Sequence, residues 1–172
     1  MRIDFSRLPE VINPVYYPYL FDHKRFNVFY GGAGSGKSVF AAQRYVYRML
    51  TKRGHNVLGV RKIDKANRDS TFAMMVQMIN AWGLRDAFQI NVQPLSISSK
   101  HNGNLMLFRG LDDPEKLKSI TFANGPLTDI WLEEASEATP SDDQHSAFVS
   151  AAQRPYRSRS PIRSTRSPLS TG

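Results

Sequence analysis

At 172 residues, 41% of them apolar and 22% charged, the chain can bury one core and has an ordinary globular composition. It has no cysteine, which excludes disulfides, thiolate metal sites and cysteine nucleophiles, and His23, His55, His101 and His145 are too scattered to suggest zinc. No apolar run approaches the roughly 18 residues of a membrane span, and the charged opening MRIDFSRLPE is unlike a secretory signal, so a cytoplasmic protein is expected. The net charge of +8 permits a polyanionic partner. Five arginines against two aspartates place +3 of it in Ser141–Gly172, which leaves a modest +5 for residues 1–140.

In chain order, the aromatic opening VINPVYYPYLFDHKRF carries prolines that forbid a regular helix. FNVFY then reads as a short buried strand ending at Tyr30. After a run of glycines, Val39, Ala42, Val46, Met49 and Leu50 recur at helical spacing, and Gly54 lies just past the end. NVLGVRK is a second strand. From Asn67 a second helix presents Phe72, Met75, Val76, Ile79 and Trp82 on one face and stops at Gly83. Its methionines sit at core spacing rather than on a binding surface. Residues 104–109, NLMLFR, and 127–132, LTDIWL, are further strands. Strands alternating with helices predict an α/β domain with a parallel sheet flanked by helices. Beyond Pro140 the composition shifts: 18 of the 32 residues of 141–172 are Ser, Thr, Pro or Arg, and a disordered tail is expected. Its Arg–Ser–Pro repeats suit RNA or phosphate binding, or have no selected role.

The glycine run is specific. Gly31, Gly32, Ala33, Gly34, Ser35, Gly36, Lys37 and Ser38 fit G-x-x-x-x-G-K-[ST] between a strand pattern and a helix pattern. Glycines let backbone N–H groups turn inward as a nest for phosphate, and the following helix points its positive end at the same anion. Lys37 is placed to neutralise the β- and γ-phosphates, and the Ser38 hydroxyl to ligate Mg²⁺. A nucleotide site is therefore expected, with ATP and Mg²⁺ as its cofactors.

Such a site needs an acid at the end of a neighbouring strand for the metal, and often a second for the attacking water. LTDIWL followed by Glu133 and Glu134 supplies two carboxylates at a strand end. Glu133 is assigned to the magnesium side and Glu134 to the general base. Adjacency leaves the division of roles open, and EEASEA also suits the start of a solvated helix.

FYGGAGSGKSVFAAQ, VRK, RDSTF, FRGLDDPEKLKSI and DIWLEEASEAT, in this order over roughly residues 25–140, resemble phage terminase large subunits, most of all those of the defective Bacillus prophage group. The resemblance implies a P-loop NTPase fold of the additional-strand type and an ATPase that drives double-stranded DNA through a portal ring. The implied partners are double-stranded DNA, the terminase small subunit and the portal protein of the procapsid, in the bacterial host cytoplasm and with no membrane. Residues 1–140 would be an incomplete ATPase domain and 141–172 a tail.

The chain departs from the family in two ways. Many relatives have arginine in place of Ala33, thought to sense the γ-phosphate, so Arg61 or Arg109 is left as a substitute, or as a structural or DNA-facing residue. Nothing after about Pro140 resembles the family, whose members continue into an RNase H-like nuclease, so the chain reads as C-terminally truncated. In ATPases of this type the next strand inserts between the acidic strand and the phosphate-loop strand. AFVSAA suits that role poorly, which predicts marginal stability, negligible turnover, and neither packaging nor cutting of DNA. Tyr16, Tyr17, Tyr19 and Phe21 are expected to cover the sheet edge or to pack on adenine. The rival readings are an inactive nucleotide-binding prophage remnant and a nucleic-acid-binding protein acting through its tail.

Overall fold

The computed structural model describes residues 4–112 and 114–135, so AFVSAA and the Arg–Ser–Pro tail lie outside the described residues. The chain opens with one helical turn, α1 (Leu8–Val11), and a 3₁₀ turn at Tyr17–Leu20. The long helix α2 (Lys37–Thr51) follows the glycine run and leads into β1 (Asn56–Arg61). A π-helical turn at Arg68–Phe72 runs into α3 (Ala73–Ala81). Then come β2 (Phe88–Val92), β3 (Leu95–Ser99), β4 (Leu105–Gly110), the short α4 (Pro114–Lys118) and β5 (Leu127–Leu132).

The five strands form one sheet in the order β2-β3-β4-β1-β5. β4, β1 and β5 run parallel, with Gly59 opposite Phe108 on one side and Trp131 on the other. β1 lies between two parallel neighbours, and its continuous Val57-Leu58-Gly59-Val60 run is buried on both faces, as an interior parallel strand requires. On one face α2 and α3 bring Ala42, Val46, Met49, Met75 and Ile79 down on Val57, Ile97, Met106 and Phe108. On the other, Leu58, Val60 and Leu111 pack with Ile130, Leu132, Leu117 and Ile120. Of the methionines of the second helix, Met75 and Met78 are buried and Met74 packs partly buried against the same core, in keeping with their core spacing. Val39 is the exception in the α2 stripe: it is 38% exposed, whereas Tyr45, outside the expected stripe, is in the core.

Two expectations need correction, and one hairpin was not expected. FNVFY is not a strand of this sheet, and its alternate side chains are open to solvent, with Phe26 67%, Val28 83% and Tyr30 93% exposed. A strand needs a ladder for its N–H and C=O groups, and the sheet stops at β5, whose strand pairing among the described residues is with β1 alone. The parallel part of the sheet, β4, β1 and β5, is as expected, and it is extended by strands that the sequence did not announce. β2 and β3 form an antiparallel hairpin joined to β4, with Ile90 opposite Ile97, and their Asn, Gln and Ser content hid them from the sequence reading. Lastly, the aromatic opening packs on α2 rather than along a sheet edge. Leu8, Ile12 and Leu20 are buried with Phe40, and Tyr16, Tyr17, Phe29 and Tyr47 pack around them.

Candidate nucleotide site

The glycine run adopts the conformation its composition allows. Gly31, Gly34 and Gly36 all have positive φ (152°, 75° and 84°), and Gly36 stands as N-cap of α2 with no side chain capping the helix. The first N–H groups of α2 are thus left for an anion, with the positive end of the helix dipole behind them. Lys37 folds across the loop: its ammonium donates to the carbonyls of Gly31 (2.8 Å) and Gly32 (2.9 Å) and to Ser35 Oγ (2.8 Å). Ala33 is exposed in the same loop.

The acidic pair splits. Glu133 continues the β1–β5 ladder through its N–H to the Val60 carbonyl (3.1 Å), and its Oε1 accepts from the Ser38 hydroxyl, 95 residues earlier in the chain. Its Oε2 accepts from the Trp131 indole N–H at 2.8 Å. Glu134 is the one described residue other than glycine with positive φ (54°). Its Oε2 lies 2.5 Å from Arg61 Nη2, in a pair whose arginine side chain is 12% and glutamate side chain 50% exposed. Residues Gly31–Ser38 and Glu133 therefore converge, and Glu134 stands beside them on Arg61. Arg109, the other candidate arginine, donates to the neighbouring Phe108 carbonyl (2.7 Å) at the end of β4.

The ends of β1 and β4 are fastened together beside this pair. Gly110 N–H donates to Asp64 Oδ1 (2.8 Å), Asp64 N–H to Asp112 Oδ1 (3.0 Å), and Leu111 N–H to the Arg61 carbonyl (2.9 Å). A Cβ at Gly110 would collide with the Asp64 backbone nitrogen and the Asp112 carboxylate. That contact gives the Arg-Gly-Leu-Asp-Asp segment a physical reason for its glycine.

A second set of residues, unmarked in the sequence reading, locks α2 to β5. Arg48 Nη1 pairs with Asp129 Oδ1 at 2.8 Å, and His55 Nδ1 lies 3.3 Å from Asp129 Oδ2. Tyr45 donates its hydroxyl to the Ile130 carbonyl (3.3 Å) and stacks on Trp131 with ring centroids 5.7 Å apart. Burial pushes His55 down to about 4 against the opposing pull of Asp129, and burial, then Asp129, raises the Tyr45 phenol. The available signal was Asp129 itself, a charge inside an apolar strand pattern, which needs a partner to be tolerated.

Among the described residues no group of three or more His, Asp or Glu could hold a metal unaided. The pair of hard oxygens on Ser38 and Glu133 nonetheless fits Mg²⁺, which takes one or two protein oxygens and completes its shell with water and phosphate. No helix of the described residues is long and apolar enough to cross a membrane.

The sequence and the fold have known counterparts. The chain is 36% identical over 127 residues to the PBSX phage terminase large subunit of Bacillus subtilis (strain 168), covering 73% of this chain and 28% of that protein. It is 28% identical over 107 residues to the terminase large subunit of Bacillus phage SPP1, covering 62% of this chain and 25% of that one. The chain thus spans little more than a quarter of the length of these curated relatives. The solved large terminase of a thermophilic bacteriophage is similar at TM-score 0.54 and 16% identity, over 72% of this chain and 30% of that one. The large terminase ATPase domain of Thermus phage P74-26 is similar at TM-score 0.51 and 18% identity, over 70% and 50%. These two likenesses establish the fold, the P-loop α/β fold of terminase ATPase domains. Residues 23–164, most of the chain and past the compositional change at Pro140, match the family described as phage terminase large subunit, and the chain belongs to that family.

Proposed function

We propose that this chain carries the ATP–Mg²⁺ site of a DNA-packaging motor, with Gly31–Ser38 as the phosphate loop and residues 1–140 as the ATPase unit. The observation that carries the reading is the meeting of Ser38 and Glu133 across 95 residues of chain, at the N-terminus of α2. In this reading the loop N–H groups and Lys37 take the β- and γ-phosphates, which replace the Gly31 and Gly32 carbonyls as partners of the ammonium. Ser38 and Glu133 would hold Mg²⁺, which when bound neutralises charge on the phosphates. Glu134 would orient the attacking water and accept its proton. The work of hydrolysis would serve double-stranded DNA translocation, with the terminase small subunit and the procapsid portal as partners, in the bacterial host cytoplasm.

Lys37→Ala in the full chain tests the site. Losing a charge-assisted contact of about 2–3 kcal/mol predicts ATP affinity about a hundredfold lower by titration calorimetry. Undiminished affinity would remove the assignment. A second reading, nucleotide binding without turnover by this chain, is favoured by one observation: Phe26–Tyr30, which leads directly into Gly31, has no place in the sheet. Steady ATP hydrolysis by the purified chain would eliminate it.

A further inference from the structure

Tyr16 lies in the aromatic opening, on no element of the sheet, yet its hydroxyl donates to the carbonyl of Ser35 at 3.0 Å, 19 residues along the chain. Its ring is stacked on Phe40, in the first turn of α2, with centroids 5.0 Å apart and planes 12° from parallel. Phe29 meets the same ring edge-on at 5.8 Å. Phe40 is itself almost wholly buried, so the ring rests on a fixed surface. The backbone at Tyr16 is held by its N–H to the Asn13 carbonyl at 2.9 Å. The ring also lies beside the loop: a Cβ at Gly36 would stand 3.6 Å from Tyr16 Cε2.

From this geometry we propose that Tyr16 is a positioning residue of the phosphate loop, which aims the Gly36 amide at the bound phosphate. The proposal rests on the nucleotide reading above. The Ser35 carbonyl and the Gly36 N–H belong to one planar trans peptide and point in opposite directions. Holding the carbonyl on the tyrosine side therefore sets the direction of the amide. Gly36 N–H has no hydrogen-bond partner among the described residues, so it is available to an anion. The fixing matters because this peptide precedes a glycine at φ 84°, flanked by Gly34 at 75°, where the backbone has little intrinsic preference. A nest whose amides are already oriented binds without an ordering cost. A tyrosine that served only to cover α2 would need its ring and not its hydroxyl.

Tyr16→Phe in the full chain separates the two roles, since it keeps the stack and removes the donor. Backbone ¹⁵N relaxation is expected to show a lower order parameter for the Gly36 amide, with the thermal melt unchanged. Affinity for inorganic pyrophosphate with Mg²⁺, and for ATP, is expected to fall about five- to tenfold, the effect of one lost hydrogen bond. An unchanged Gly36 order parameter with unchanged pyrophosphate affinity overturns the proposal, and so does a lowered melt with Gly36 unaffected. Should the parent chain bind neither pyrophosphate nor ATP, the nucleotide reading fails. The Gly36 relaxation, which needs no ligand, then decides alone whether Tyr16 holds this peptide.

Discussion

Arg61 and Glu134 meet at the carboxyl ends of two adjacent parallel strands, Arg61 closing β1 and Glu134 two residues past the end of β5, with Nη2 and Oε2 2.5 Å apart. Glu134 thus meets Arg61, while its neighbour Glu133 meets Ser38. Adjacent carboxylates of identical chemistry are thereby given different surroundings, one against a hydroxyl and an indole, the other against a guanidinium.

This division predicts different outcomes for the two glutamates. Glu134→Gln is expected to leave ATP affinity intact and slow hydrolysis by about 10² or more, read as steady-state phosphate release. Glu133→Gln is expected to weaken the Mg²⁺ dependence of nucleotide binding. Parent-rate hydrolysis in the Glu134 variant would move the base role elsewhere.

The lock between α2 and β5 predicts a stability effect. Asp129→Ala leaves the Arg48 guanidinium buried without its carboxylate, and removing one partner of such a pair costs about 3–5 kcal/mol. Asp129 is partly exposed, its side chain 22% accessible, so the lower end, about 3 kcal/mol, is expected from urea unfolding. A change under about 1 kcal/mol would mean that water already screens the pair.

His55 predicts a pH dependence. Its folded value is depressed to about 4 from an ordinary 6.5, so between these limits the unfolded chain binds more protons than the folded one. Stability therefore rises with pH through this window and is lost as pH falls from 6.5 towards 4. The shift corresponds to at most about 3 kcal/mol. Urea midpoints at pH 7 and pH 4.5 should differ accordingly, and His55→Asn should flatten the slope. An equal slope in that variant would assign the acid sensitivity to other groups.

Gly110→Ala tests the fastening at the ends of β1 and β4. A methyl group there meets the backbone nitrogen of Asp64, and backbone cannot move aside as a flexible side chain can. Overpacking of this kind costs about 1–3 kcal/mol, which a thermal melt would register as a drop of several degrees in Tm. An unchanged melt would mean that the 62–66 loop adapts freely.

What the sequence by itself determined is local. The glycine run of 31–38 is free to take positive φ at Gly34 and Gly36, which few other residues accept. α2 and β4 are readable because their buried positions repeat at the spacing of each element, and β1 because its apolar run is continuous. Glu133 and Glu134 were legible as a pair at a strand end. Their separation was not, because it depends on Arg61 and Ser38 arriving from elsewhere in the chain.

Tertiary structure decided everything that needed a partner. FNVFY has the composition of a buried strand and stands exposed, because a strand is stable only against a neighbour, and among the described residues the sheet ends at β5. The β2–β3 hairpin, polar in composition, is held by pairing with β4 and by Phe88 and Ile97 reaching the core. Asp129 and Arg48 lie 81 residues apart, and Tyr16 and Ser35 lie 19 apart. Hydrogen bonds and ion pairs act over about 3 Å in space. Only the fold decides which distant residues come within that reach.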